Sequence, residues 1–590
     1  MGALSRIPMR GWFVIAAVLF GMVPLLKLPA FYESFLYLCF YWVVLATSWN
    51  ILSGYSGYFS FGHGAFFGIG MYTTAVFAGK FDWPFLWTLP AAGLIAALFG
   101  MGVGAVVFRV RSMRGELFAL LTLAVTFVLA TIVLNTPIDG GPGVYLSAVP
   151  LPAIMSSPSS TFYILSMVLA IITIWIAWEI HRSRLGTGLF AIHDDEDVAE
   201  VMGVPTFRYK IAAFGISCAL AGVAGAIHAM FVSYVTVGET FSIIVPLTVV
   251  LMSVLGGSRH WFGPAIGAVA VTGLLYAFTA GDYAVLGRAL VGLILIVVIL
   301  FMPEGILGQI LAYLHRRKLA RADRAAADHP PQETARAPAD SHSKVAPGEV
   351  LLDVIGVGKS FSGVHALADV HMQVRRGEIL GLVGPNGSGK STMINVVSGH
   401  YRANSGRIVF EGHDLVGLPA HRVARSGIAR TYQIPRPFNH LSVLENVALT
   451  GMFGRDARHR ADAEREARRW LEFTGLAGKA DALPEELNLH QRKFLEFARA
   501  LASRPSLLFL DEVLSGLTPS EIDGAIRLIR AIRDQGTSIV FVEHVMRAVM
   551  ELTDRVVVLS YGRVIAEGDP HEVMRREEVV TAYLGKPHGT

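Results

Sequence analysis

The first 310 residues of this 590-residue chain are a succession of long apolar runs, and this pattern constrains the fold more than any other feature. A helix needs roughly 20 apolar residues to cross a bilayer, and it satisfies its backbone polar groups internally, as lipid requires. About ten runs have this character; they lie near residues 12–26, 35–53, 57–78, 85–108, 116–134, 160–180, 211–232, 241–257, 262–279 and 283–302. The sequence therefore predicts an all-α polytopic membrane domain over residues 1–310.

The first apolar run has a second interpretation. Arg6 and Arg10 precede it, as basic residues precede the apolar part of a secretory signal peptide. The run is followed by the segment Leu26–Pro29, which lacks the small residues of a cleavage site. The sequence therefore favours a first membrane helix over a signal peptide.

Lysine and arginine are unevenly distributed between the connecting segments. With the N-terminus inside the cell, the outer segments carry little beyond Lys27 and Lys80. The inner segments carry Arg6, Arg10, Arg109, Arg111, Arg114, Arg182, Arg184, Arg208, Lys210, Arg259, Arg316, Arg317 and Lys318. Because basic residues accumulate on the cytoplasmic side of membrane proteins, we expect an inner-membrane protein with its C-terminal part in the cytoplasm.

The composition changes after residue 310. Residues 311–348 are rich in Ala, Arg, Asp, His and Pro, which predicts a solvated linker. Residues 349–590 have the pattern of a water-soluble α/β domain. The net charge of +4 gives no indication of a nucleic-acid partner. Cys39 and Cys218, the two cysteines, both lie in apolar runs and offer neither a disulfide framework nor a metal-ligand spacing.

The C-terminal part contains one phosphate-binding motif, G-x-x-x-x-G-K-[ST]. A short apolar strand precedes it at Ile379–Val383, and a helix start follows it at Thr392, which is a further candidate for binding the nucleotide. Glycines let backbone N–H groups close around phosphate oxygens, and the helix N-terminus adds a favourable dipole. Lys390 would neutralise the β- and γ-phosphates, and the Ser391 hydroxyl would ligate Mg²⁺. The motif consists of Gly384, Pro385, Asn386, Gly387, Ser388, Gly389, Lys390 and Ser391.

Further motifs surround this loop in a fixed order. An apparent strand end precedes Gln433, one apolar strand ends in two carboxylates, and another strand ends in a Glu-His pair. These positions are Phe361, Gln433, Asp511, Glu512, Glu543 and His544. In this order they resemble the nucleotide-binding domain of ABC transporters over residues 349–590, which implies an α/β P-loop fold.

The resemblance implies a role for each motif, with ATP and Mg²⁺ as ligands. Phe361 would stack on adenine, and Gln433 would contact Mg²⁺ or the attacking water. Asp511 would hold Mg²⁺ through water, Glu512 would polarise the attacking water, and His544 would contact the γ-phosphate. Phosphoryl transfer needs mainly positioning and charge stabilisation, which these groups supply.

The signature motif departs from the family pattern Leu-Ser-Gly-Gly-Gln. It reads Leu487, Asn488, Leu489, His490 and Gln491. Asn488 can still donate a hydrogen bond, whereas His490 places a side chain where backbone normally approaches phosphate. The following D-loop has Thr518 where Asp is usual. Since each ATP site is shared between two domains, a heterodimer would hold one strong site, built on Lys390 and Glu512, and one weak site; a homodimer would hold two compromised sites.

Glycine-rich stretches of the membrane half indicate which class of ABC transporter the chain resembles. They are Ser53–Gly57, Ser60–Gly70, Gly140–Gly143, Leu255–Gly257 and Gly263–Pro264. They look like the permease of branched-chain amino acid (Liv-type) importers. The segments Gly427–Gln433 and Ala582–Gly585 resemble the ATPase that partners this permease. The chain therefore looks like two importer subunits fused through the linker.

The inner loop His181–Lys210 contains a predicted amphipathic helix. Acidic residues lead it, which favours the helix dipole, apolar residues recur at helical spacing, and a glycine closes it. This segment resembles the coupling helix of the permease. The positions concerned are Asp195, Glu196, Ala199 and Gly203.

The resemblance implies ATP-driven import with three further parts: a second permease, a second ATPase and an extracytoplasmic binding protein that chooses the substrate. Branched-chain amino acids are the default substrates, and other amino acids, urea and short amides are alternatives. An exporter half-transporter is disfavoured because the inner loops are short and the helix count is nearer ten than six. A non-transporting scaffold with an impaired ATPase is disfavoured by the intact Lys390, Asp511, Glu512 and His544.

Overall fold

The structure, a computed structural model, describes residues 9–110, 113–152, 154–155, 157–279 and 348–584, with scattered positions between 289 and 314. Its contacts divide the chain into two compact units. The first comprises Met1–Leu189 and Phe207–Pro330, and the second comprises Phe190–Thr206 and Pro331–Thr590. Most of the predicted linker 311–348 and of the apolar run 283–302 lies outside the described residues.

The first half of the chain is helical. Its helices are α1 (Met9–Gly21), α2 (Ala30–Ser56), α3 (His63–Gly79), α4 (Phe85–Val107), α5 (Glu116–Leu134), α6 (Pro158–Arg182), α7 (Arg184–Val201), α8 (Thr206–Val232), α9 (Val237–Thr240), α10 (Ile244–Gly256) and α11 (Gly263–Thr279). Two short strands, β1 (Val144–Tyr145) and β2 (Tyr234–Val235), pair antiparallel.

Seven helices in the described part of the chain are long and apolar enough to cross a membrane. Each of the seven covers one of the predicted apolar runs, and the predicted run near 283–302 lies mostly outside the described residues. Two of the predicted runs form helices of only 17 residues, α3 and α11. The run near 57–78 is shortened because Gly57, with a φ of 72°, ends α2 in the left-handed region, and α3 begins only at His63.

Helices α3, α4 and α8 approach one another through glycines. A Cβ at Gly70 of α3 would lie 1.9 Å from the Gly222 carbonyl oxygen of α8. A Cβ at Gly225 of α8 would lie 2.1 Å from the Phe67 carbonyl oxygen of α3. A Cβ at Gly222 would lie 2.6 Å from the Cβ of Ala96 in α4. Small residues permit such close contact between membrane helices. The backbone of α8 therefore lies directly against the backbones of α3 and α4 at this crossing.

The second unit is an α/β structure built on two sheets. One sheet has the order β12-β11-β5-β10-β9-β8 and is parallel except for β12; the other, with the order β4-β3-β6-β7, is antiparallel. The strands are β3 (Val350–Phe361), β4 (Val364–Arg375), β5 (Ile379–Val383), β6 (Ser405–Phe410), β7 (His413–Asp414), β8 (Ile428–Arg430), β9 (Leu507–Asp511), β10 (Ser538–Val542), β11 (Arg555–Ser560) and β12 (Arg563–Gly568).

Helices follow the parallel strands and flank the sheet. They are α12 (Lys390–Val397), α13 (Ala420–Ser426), α14 (Val443–Phe453), α15 (Arg460–Phe473), α16 (Leu489–Ala502), α17 (Pro519–Asp534), α18 (Met546–Leu552), α19 (Pro570–Val573) and α20 (Glu577–Leu584). Strands β5, β9 and β10 are buried along their whole length, as expected for central parallel strands. Because β5, β10, β9 and β8 are neighbours, the segments that follow them emerge at one edge of the sheet.

We predict that Gly222→Val destabilises the membrane unit, because the added side chain meets the helix α4 backbone. Overpacking of this kind costs about 1–3 kcal/mol, so the melting temperature of the detergent-solubilised protein should fall. Gly273→Val in α11 is the control, since a Cβ there meets no described atom within 4 Å. Equal melting temperatures for the two variants would contradict the close packing.

Candidate functional site

The phosphate-binding motif forms the turn between β5 and α12. Gly389 caps α12 with a φ of 109°, and a Cβ there would lie 2.6 Å from the Ala366 carbonyl oxygen, so this position requires glycine. The Lys390 ammonium group donates hydrogen bonds to the carbonyl oxygens of Gly384, at 2.7 Å, and Pro385, at 3.0 Å. The lysine is thus held within its own loop.

Three predicted catalytic side chains meet at the carboxyl ends of β8, β9 and β10. Gln433 donates from its amide nitrogen to the Glu512 carboxylate at 2.5 Å. The other oxygen of Glu512 lies 2.9 Å from Nε2 of His544. Glu512 is thereby bound from both sides by residues of neighbouring strands, in a position to act as a base on water.

Asp511, the last residue of β9, is buried beside this cluster. Burial raises the pKa of its carboxyl group and Glu512 raises it further, whereas Arg430, Lys390 and His544 lower it. The predicted metal ligands Ser391, Gln433 and Asp511 supply hydroxyl, amide and carboxylate oxygens, which are the donors that Mg²⁺ prefers. A divalent cation fits here, because it would favour the ionised form of a carboxyl group that burial disfavours.

The phosphate loop also contains a buried hydroxyl that fits a phosphate ligand. The Oγ atom of Ser388 is buried and has no hydrogen-bond partner among the described residues. Buried polar groups are ordinarily paired, so this hydroxyl is suited to a phosphate oxygen. Of the other motif residues, Lys390 is buried, whereas Ser391 is exposed and Thr392 partly so.

The predicted adenine platform, Phe361, lies at the end of β3 and is 39% exposed. The Tyr401 ring meets it edge-on with 5.1 Å between ring centroids, and the Lys359 ammonium lies 4.9 Å from its centroid. Tyr401 could not be predicted from the sequence, because an isolated aromatic residue after a helix has no motif of its own.

Arg430 is a second residue that sequence reasoning missed as a part of the site. It is 5% exposed at the end of β8, and its guanidinium group donates to Asn395 of α12 at 2.5 Å. It also lies 4.5 Å from the Tyr432 ring centroid. Arg430 therefore ties the strand that leads to Gln433 to the helix that follows the phosphate loop.

The degenerate signature begins helix α16. Asn488 is its N-cap, and its side-chain oxygen accepts the Gln491 N–H at 2.8 Å. The Gln491 side chain accepts the Asn488 N–H at 3.1 Å, which completes a capping box. The His490 ring packs on Phe494 with 4.2 Å between centroids. With its oxygen engaged in the cap, Asn488 keeps its amide group as the part able to donate.

The predicted coupling segment is more helical than the sequence indicated. Helix α7 begins at Arg184 and breaks at Asp195, whose φ of −157° and ψ of 105° are extended. Asp195 is therefore not in a first helical turn, as predicted, but caps the next segment by accepting the N–H groups of Asp197 and Val198, both at 3.0 Å. Glu196 and Ala199 lie in that segment. Gly203, with a φ of 96°, follows its end.

Segment Phe190–Thr206 belongs by its contacts to the second unit. Asp195 lies 3.2 Å from the Arg436 guanidinium group, and Asp194 accepts the His440 N–H at 3.0 Å and also contacts its ring. A Cβ at Gly203 would lie 2.3 Å from the Phe453 carbonyl oxygen. The segment is thus bound to the residues just after Gln433.

Comparison with known families gives three matches. Residues 31–299 match the permease component of the branched-chain amino acid transport system. Residues 367–515 match the ABC transporter family, and residues 563–589 match the branched-chain amino acid ATP-binding cassette transporter family.

Individual relatives match the C-terminal half. One is a probable branched-chain amino acid transport ATP-binding protein of Archaeoglobus fulgidus, 36% identical over 40% of this chain and 95% of the relative. Another, from Pseudomonas aeruginosa, is a high-affinity branched-chain amino acid transport ATP-binding protein, 34% identical over 40% of this chain and 98% of the relative. A solved nucleotide-free cassette of an ABC transporter is 28% identical over 40% of this chain and all of its own, with a TM-score of 0.37.

Proposed function

This chain belongs to the branched-chain amino acid ABC transporter family, with a permease and an ATP-binding component in one polypeptide, and we propose that it imports branched-chain or related small amino acids across the inner membrane. It is a multi-pass membrane protein whose ATPase domain couples ATP hydrolysis to transport. The observation that carries the proposal is the permease match over residues 31–299 in the same chain as the ATPase.

Hydrolysis centres on Glu512 in this proposal. Its carboxylate polarises the attacking water, while Gln433 and His544 fix its two oxygens at 2.5 and 2.9 Å. Lys390 leaves the carbonyl oxygens of Gly384 and Pro385 to bind the β- and γ-phosphates. Held by Ser391, Gln433 and Asp511, Mg²⁺ would neutralise charge on the phosphates.

Coupling to transport runs through segment 190–206. This segment is continuous in sequence with helices on both of its sides, and its ion pair to Arg436 lies three residues from Gln433. The ring of Tyr432, which precedes Gln433, lies 5.7 Å from the Arg436 guanidinium group. Closure of two ATP-binding domains would therefore move the segment, and the movement of the segment would switch the pathway between the two membrane faces.

The proposed assembly contains a second permease, a second ATPase and an extracytoplasmic binding protein, with the ATP-binding domains in the cytoplasm. The capped Asn488 and the stacked His490 support a weak signature in this chain. A partner ATPase with an intact signature would complete the site built on Lys390 and Glu512. The other site, capped by Asn488, would be the weaker one.

We expect the two sites to respond differently to the same substitution. Glu512→Gln should lower the ATPase rate of the complex by about 10²-fold or more, because it removes the base at the strong site. The equivalent Glu→Gln change in the partner ATPase should leave most of the rate. Steady-state ATPase assays measure both, and equal residual rates would contradict the asymmetry.

The transport proposal is tested in proteoliposomes that contain the complex purified with its native partners. With ATP inside the vesicles and the binding protein outside together with labelled leucine, isoleucine or valine, the label should accumulate in the lumen; with ATP and the binding protein on the same side of the membrane, no transport is expected. Urea and a short amide are tested in parallel. Transport of these alone would replace the substrate class, and vectorial transport without any binding protein would favour the exporter.

The coupling proposal predicts that Asp195→Asn and Arg436→Gln each lower the amount of substrate moved per ATP hydrolysed. Asn keeps the helix cap but loses the ion pair at 3.2 Å. The double variant should be no worse than either single variant, because both remove one interaction. Asp414→Asn, which removes an exposed pair with Arg407 elsewhere in the unit, is the control. Additive losses would contradict the pairing.

A further inference from the structure

Glu512 has an unusual backbone conformation for its residue type. Its φ of 48° lies in the left-handed region, which residues other than glycine seldom adopt. Such a conformation persists where the surroundings fix it, and it is found preferentially at functional sites. The chain then turns sharply, with the Ser515 N–H donating to the Glu512 carbonyl oxygen at 3.3 Å. The direction of the Glu512 side chain therefore depends on the turn formed by residues 512–515.

Two buried charged side chains hold this turn from different elements. Lys493 of α16 is 5% exposed, and its ammonium group donates to the carbonyl oxygens of Val513, at 3.0 Å, and Ser515. Glu543, which follows β10, is 2% exposed, and its carboxylate accepts the Leu514 N–H at 2.6 Å. Three successive residues of the turn are thus bound by side chains from α16 and from the end of β10.

The burial of these two groups is unusual, since lysine and glutamate are rarely buried without a partner. The second oxygen of Glu543 accepts the N–H of His544 at 3.3 Å. The carboxylate therefore binds both the turn that follows β9 and the backbone of the catalytic candidate His544. Hydrogen bonds to charged groups are stronger than those between neutral groups. Charge in this position therefore restrains the turn more firmly than a neutral amide would.

We propose that Glu543 and Lys493 are positioning residues for ATP hydrolysis, which hold the turn 512–515 so that the Glu512 carboxylate faces the attacking water. The proposal rests on the proposed role of Glu512 as the base. Neither side chain touches the nucleotide in this mechanism; each acts through the backbone of the turn.

The electrostatic surroundings give the proposal a pH signature. Burial raises the pKa of the Glu543 carboxyl group to about 7; Glu512 raises it further, while the N–H groups of Leu514 and His544 and the charge of Lys493 lower it. Glu543 is therefore ionised above about pH 7 and protonated below it. Since the ionised form is the better acceptor for the Leu514 N–H, hydrolysis should fall as the pH falls through this range.

The first test is the steady-state ATPase rate of the full complex with Glu543→Gln. At pH 8 we expect kcat to fall about tenfold, the effect of replacing a charged by a neutral hydrogen-bond acceptor, with KM for ATP unchanged. At pH 6 the variant and the unmodified protein should differ little, because the unmodified Glu543 is then protonated. Glu543→Asp, which keeps the charge, should recover part of the rate at pH 8. An unchanged pH profile, or a loss confined to KM, would overturn the proposal.

The second test places Glu543→Gln in a Glu512→Gln background. If Glu543 acts only through Glu512, the double variant should hydrolyse ATP as slowly as Glu512→Gln alone, and no more slowly. A further tenfold loss would show that Glu543 acts independently and would overturn the proposal. If Glu512→Gln itself keeps its rate, the proposed base is wrong; if only Glu543→Gln keeps its rate, the positioning role alone fails.

Glu378→Gln is the matched control. Glu378 is also a buried glutamate, 8% exposed, and accepts a backbone N–H, that of Arg375, at 2.5 Å. It precedes β5, so it lies at the end of the strands away from the site, and its substitution should leave kcat and its pH profile unchanged. Should Glu543→Gln fail to assemble, Lys493→Met tests the same turn from α16. It should lower kcat to the same extent, and it should cause no further loss of ATPase rate in the Glu512→Gln background.

Discussion

The order of the parallel strands is the constraint on which the chemistry of the second unit depends. Strands β5, β10, β9 and β8 are adjacent, so the phosphate loop, the Glu-His pair, the two carboxylates and Gln433 emerge side by side. The carboxyl ends of parallel strands are where α/β proteins bind ligands. Hydrogen bonds from Gln433 and His544 to Glu512 then join these three side chains into one cluster. Gln433, Glu512 and His544 meet because the strands that they follow, β8, β9 and β10, are adjacent in the sheet.

The sequence predicted the parts of this structure that depend on periodicity and on short motifs. The two-part fold class and the transporter family are confirmed, because long apolar runs have few alternatives in lipid and because the nucleotide motifs are collinear. The residue roles stay predictions. Among the described residues, the predicted run near 57–78 forms a shorter helix than expected, because Gly57 ends α2 and α3 begins only at His63.

Contacts between distant segments could not be predicted from the sequence. No predicted role pointed to Arg430, Tyr401 or Lys493, because their contacts follow only from the packing of β8, α12 and α16. The break of α7 at Asp195 could not be predicted from the sequence either, because an acidic residue is favourable both in a first helical turn and as an N-cap. Which of the two forms depends on the partners of the segment, here Arg436 and His440.

In the proposed ATP site, the two hydrogen bonds of Lys390 to its own loop would influence the rate of nucleotide exchange. A phosphate group must displace the carbonyl oxygens of Gly384 and Pro385 from the ammonium group before it gains that charge. When the product departs, the carbonyl oxygens of Gly384 and Pro385 would again accept hydrogen bonds from the ammonium group, so the lysine would keep hydrogen-bond partners within the protein. With the proposed role of Lys390, the loop would give up part of its affinity for nucleotide and release the product faster, which suits a transporter that must reset after every cycle.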